Sequence, residues 1–258
     1  MRALEPDSHG FAVNPLDGVR IAWEAWDPPD AERLVVFLPT WSLVHSRIWK
    51  FQVPYFAYQG MRVVTFDGRG NGRSDRPASG YTTDHFTQDT LAVLDALNIQ
   101  QAAVVAHSAG GRWAIQLAAE HPERVTHLAL IAPAVRFHET PESLAGFHST
   151  PPDREGFHKY TELHWREDYP DFVNWFFATI CNEPHSTKQI EDGVGWGLET
   201  TAEVLIATTN ERVTPHLAEL AAAVRCPALV LHGDRDEIIS LDVGRAVHQS
   251  IAGSRMVV

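Results

Sequence analysis

Short apolar runs recur along the chain, with amphipathic stretches between them. Runs at residues 19–26, 34–38, 62–66, 102–106, 127–131 and 228–231 predict strands, and residues 255–258 open one more. Helical patterns cover residues 84–97, 110–120 and 241–251, the first with Thr82 and Thr83 placed to cap its start. Short, nearly continuous apolar strands separated by helices predict an α/β fold, with a mostly parallel, doubly wound sheet covered on both faces.

One stretch breaks this rhythm. Between residues 135 and about 215 no strand pattern occurs, while aromatics are dense, among them Phe137, Phe147, Tyr160, Trp165, Phe172, Trp175, Phe176 and Trp196. The segment lies between two strand–helix units and so predicts an inserted helical cap. Its apolar underside would line a substrate cavity, although the same aromatics would serve equally well in an ordinary core. The expected organisation is a core from residues 1–134, a cap at 135–215 and the returning core at 216–258.

The strongest chemical candidate lies at the end of one strand. The apolar run ending in Ala106 is followed by His107, Ser108, Ala109, Gly110 and Gly111, and then by a helical pattern. A strand that turns abruptly into a helix bends at a strained residue, and small neighbours make room for it. The Ser108 hydroxyl is then lifted over the sheet edge, at a helix N-terminus whose free N–H groups favour negative charge. That makes Ser108 the candidate nucleophile. Taken alone, the string would suit a serine helix cap just as well.

Composition narrows the class. A 258-residue chain that is 44% hydrophobic can bury a sizeable core. Thirty-three acidic against 21 basic residues give a net charge of −12, which argues against nucleic acid or anionic lipid as a partner. Cys181 and Cys226 are too few and too far apart for a disulfide scaffold, so a cytoplasmic setting is expected. No Cys-x-x-Cys or His-Glu-x-x-His spacing occurs, so neither metal nor cofactor is expected. Residues 1–7 lack the apolar stretch of a signal peptide, and no apolar run approaches the ~18 residues of a membrane span. The expected partner is a small molecule, and oligomeric state leaves no mark on the sequence.

With the serine in this setting, the chain resembles the α/β-hydrolase superfamily over nearly its whole length. Residues 66–77, from Phe66 and Asp67 to Arg76 and Pro77, resemble the family's Asp-x-Arg-Gly-x-Gly-x-Ser-Asp loop. Its spacing is neither a dinucleotide fingerprint nor a Walker loop, which points to a structural role. Residues 38–49 follow a strand at the place where the family shows His-Gly-x. The resemblance implies that the backbone N–H groups of Trp41 and Ala109 form an oxyanion hole. Such donors are worth about 3–4 kcal/mol each in well-studied sites. Pro39 and Thr40 depart from His-Gly, and Ala106 departs from the first glycine of the Gly-x-Ser-x-Gly elbow. Residues 231–239 resemble the family's strand followed by Gly-x-x-Asp, implying Asp236 as the acid of a Ser-Asp-His order, with Asp234 as the competing carboxylate.

The base is the missing member. The resemblance implies a histidine on a loop after the strand that begins near residue 255, and the sequence ends within that strand. His248 lies in the preceding helical stretch, and His107 adjoins Ser108 but should point away from it. The first expectation is a chain that continues past residue 258 into the histidine loop and a last helix. Alternatively, His45 or His232 takes the role, or the protein binds ligands without catalysis. The expected function is a serine hydrolase acting on a small or medium apolar ester or related acyl compound. An alternative is a cofactor-free dioxygenase opening an N-heteroaromatic ring, which Pro39-Thr40-Trp41 and the His107 to Trp113 string resemble. That class needs a carboxylate after the strand following the elbow helix, where this chain has Ile131, Ala132, Pro133 and Ala134.

Overall fold

The computed structural model describes residues 4–258, apart from the side chains at positions 141 and 143. Eight strands form one sheet in the order β1-β2-β4-β3-β5-β6-β7-β8. Strands β3 (Arg33–Phe37), β4 (Met61–Phe66), β5 (Ala102–His107), β6 (Val125–Ile131), β7 (Ala228–Leu231) and β8 (Arg255–Val257) run parallel. At one edge, β1 (Ser8–Val13) and β2 (Arg20–Trp26) add an antiparallel pair. The apolar pattern misses β1 because this edge strand is half exposed and carries no continuous apolar run.

Side-chain alternation feeds two cores. Val36, Val64 and Val104 point to the larger one, built with α2 (Thr83–Ala96), α3 (Gly110–Glu120) and α8 (Leu217–Ala223). Val35, Phe37 and Val63 point the other way, toward Trp49 and the short helix α1 (Gln52–Tyr58). Helix α9 (Leu241–Ser250) packs against β7 and β8. Thr82 caps α2 with its hydroxyl, as its position predicts.

Between β6 and β7 the described residues form helices and turns only. They include α4 (Glu162–Glu167), α5 (Tyr169–Ile180), α6 (Thr187–Gly197) and α7 (Ala202–Asn210). Trp165 and Phe172 are fully buried within this segment. None of the described helices is long and apolar enough to cross a membrane.

The loop at residues 67–75 joins this helical segment to the sheet. Arg69 is fully buried and bidentate to Asp89 of α2 at 2.7 Å, with Asp17 and the Gly80 carbonyl on its remaining nitrogen. Gly70 has φ +90°, and a Cβ there would come within 2.6 Å of Val204 in α7. Its carbonyl accepts from the Thr200 hydroxyl at 2.6 Å. The motif's glycine thus permits both the turn and the close approach of the cap.

Candidate active site

Ser108 directly follows β5 with φ +51°, the left-handed conformation that non-glycine residues adopt only at a cost. Three backbone hydrogen bonds hold it there. Its N–H donates to Ile131 O at 2.9 Å, and its carbonyl accepts from Gly111 N at 3.0 Å and Ala134 N at 2.9 Å. A cavity of about 550 Å³ opens over it, with Ser108, Ala109 and Trp41 in its wall. Among the described residues, nothing hydrogen-bonds the Ser108 hydroxyl.

The two N–H groups implied as oxyanion donors border the same space. Neither the Trp41 nor the Ala109 amide donates to a protein acceptor among the described residues. Gly110 sets their separation, because a Cβ at this position would sit 2.7 Å from the Pro39 carbonyl oxygen. The helix start can therefore lie directly against the 38–49 loop. The Trp41 indole donates to Thr208 Oγ1 at 2.7 Å and packs among Tyr160, Trp165, Phe172 and Phe176, with ring centroids 5.7–6.3 Å apart. Its ring both lines the cavity and anchors the loop to the helical segment.

Asp236 is a fixed carboxylate. Oδ1 accepts from the amides of Ile238 at 2.9 Å and Ile239 at 2.8 Å, two residues that also line the cavity. Its competitor, Asp234, is exposed. The histidines near this end of the sheet have other partners, although His232 Nε2 also lies 3.7 Å from Asp236 Oδ2. His232 Nε2 donates to the Ile239 carbonyl at 2.8 Å, while its Nδ1 is buried against Gly244 without a partner. The His107 ring lies edge-on to Trp49, and burial pushes its pKa down to about 4, with the Asp236 charge pulling the other way. His45 sits between Asp67 and Glu199 against Trp196, and burial lowers it despite both carboxylates. Neither His45 nor His232 belongs to the cavity wall.

Sequence reasoning missed several wall residues. His158 lines the cavity with its Nδ1 2.6 Å from Asp153, on an exposed turn. Arg112, Arg136, Glu139 and Arg212 also face it. Only Arg112 left a readable signal, lying four positions after Ser108 and so about one helical turn away. Among the described residues, no group of three or more His, Cys, Asp or Glu could hold a metal ion.

The sequence model of the alpha/beta hydrolase fold family matches residues 33–258. The chain belongs to that family. A bifunctional esterase/perhydrolase of Acinetobacter calcoaceticus is 27% identical to this α/β hydrolase over 239 residues, covering 90% of this chain and 84% of the relative. A non-heme chloroperoxidase of Burkholderia pyrrocinia is 28% identical over 246 residues, covering 89% and 83%. An esterase structure from Exiguobacterium antarcticum superposes with a TM-score of 0.81 at 20% identity, covering 96% of this α/β hydrolase and 90% of that chain.

Proposed function

We propose that the protein is a serine hydrolase that cleaves an ester or related acyl compound through an acyl-enzyme on Ser108. The carrying observation is the left-handed backbone of Ser108 beneath a 550 Å³ cavity whose wall also holds Trp41 and Ala109. A strained strand–helix turn that presents a hydroxyl beside two unpaired amides suits attack on a carbonyl.

Ser108 Oγ attacks the carbonyl carbon, and the carbonyl π pair moves onto oxygen. The Trp41 and Ala109 amides stabilise that oxyanion. As it collapses, the bond to the leaving alkoxide breaks, and the alkoxide takes the proton that Ser108 gave up. Water then attacks the acyl-enzyme by the same route. An imidazole carries the proton in both halves, and Asp236 orients it. In the family's chain order that imidazole comes after the acid. The end of β6 and the residues directly after it, Ile131, Ala132, Pro133 and Ala134, carry no carboxylate, which favours acyl transfer over dioxygenation.

The test is a panel of nitrophenyl esters of increasing acyl length, compared between the parent protein and Ser108→Ala. The substitution should lower kcat/KM by about 10³-fold or more while leaving the thermal melt in place. Equal turnover by the two proteins would rule out Ser108 as the nucleophile.

A further inference from the structure

Three guanidinium groups share the cavity with Ser108, and one carboxylate opposes them. Arg112 projects from α3, Arg136 comes from the segment after β6, and Arg212 follows α7. Glu139 is the only acid among the described residues of the wall, with Oε1 2.7 Å from Arg212 Nη2 and 3.9 Å from Arg136 Nη1. Cationic charge therefore exceeds anionic charge at this wall, in a chain whose formal net charge is −12.

The unmet charge concentrates on Arg112. Its Nη1 donates to the Arg212 carbonyl at 3.2 Å, while its buried Nε has no partner, so the edge formed by Nε and Nη2 is unpaired among the described residues. Arg212 Nε and Thr209 Oγ1 are also buried without partners at the same wall. Unmade buried donors are costly, and more so when they carry charge. A planar carboxylate matches an open guanidinium edge with two parallel hydrogen bonds. Burial brings the Arg112 guanidinium down to about 10, against the pull of Glu139, so it keeps its charge at neutral pH.

We propose that this cavity takes an acyl substrate bearing a free carboxylate, held on the unpaired edge of Arg112 while Ser108 attacks the carbonyl of the same molecule. The aromatics of the cavity wall suggest an apolar ester, and the arginines add an anionic end to it. Ser108 and Arg112 lie four positions apart and line the same cavity, so one small substrate can reach both. The proposal rests on Ser108 as the nucleophile, but the anion subsite is readable by binding alone.

Calorimetry on the Ser108→Ala protein with monomethyl glutarate and dimethyl glutarate tests the subsite without turnover. The monoanion should bind at least about tenfold tighter, and Arg112→Gln and Arg212→Gln on that background should each bring the two ligands within about threefold. Equal binding of the two ligands would overturn the proposal, as would a preference that survives Arg112→Gln in a protein with an intact melt. In the parent protein, mono-4-nitrophenyl glutarate should show a higher kcat/KM than its methyl ester. If neither ester turns over while the binding preference holds, the nucleophile assignment fails and the anion subsite stands.

Discussion

Ser108 combines a left-handed backbone, worth about 1–2 kcal/mol of strain in a non-glycine residue, with three hydrogen bonds that fix it. Gly110 matters for a different reason. Its backbone needs no special φ, but its missing Cβ lets the helix start meet the Pro39 carbonyl. Gly110→Ala should push the 38–49 loop away and pull the Trp41 amide off its line. The expected result is a kcat lower by about 10–100-fold, with KM changed much less, because the loss falls on transition-state charge. Steady-state kinetics on one ester decides this, and a parent-like kcat would show that the close approach does not set the amide geometry. Ser108 and its small neighbours were legible in the sequence because the turn needs them locally. The contact between Gly110 and Pro39 was not, since it joins positions 71 residues apart.

Among the elements, the loop at 67–75 ties three parts of the protein together. Arg69 is buried on Asp89 of α2, Asp67 accepts from the Ser46 amide and hydroxyl, and Thr200 and Arg76 bridge the loop to the segment after α6. Removing one partner of a buried ion pair strands the other charge, at a cost of about 3–5 kcal/mol. Asp89→Asn should therefore lower the melting temperature by roughly 6–20 °C for a chain of this length, measured by calorimetry. A shift of under about 2 °C would contradict the pairing. The loop motif itself was readable from residues 66–77, yet its partner on α2 was not. Asp89 sits in an amphipathic helix where a lone carboxylate looks like any solvated one. The strand β1 escaped for a related reason, because an edge strand with one wet face shows too few apolar positions to stand out.

Across the whole molecule, the alternation of apolar strands and helices was enough to predict the mostly parallel sheet and the helical stretch between β6 and β7. Periodicity reports burial, and burial dictates this architecture. It says nothing about which residues from distant segments meet around a cavity. Arg112, Arg136, Glu139 and Arg212 come from α3, from the segment after β6 and from the end of α7, so the charge of the wall emerges only on folding. The overall charge of −12 would even have suggested the opposite sign. Asp236 was singled out by its Gly-x-x-Asp spacing, and the fold gives its carboxylate two backbone hydrogen bonds, from Ile238 and Ile239. The measurement closest to the centre is peptide mapping after treatment with a phosphonate ester that labels activated serines. One adduct per chain should appear, on the peptide holding Ser108, and it should vanish in Ser108→Ala. An adduct on another residue, or none at saturating reagent, would contradict a nucleophile at position 108.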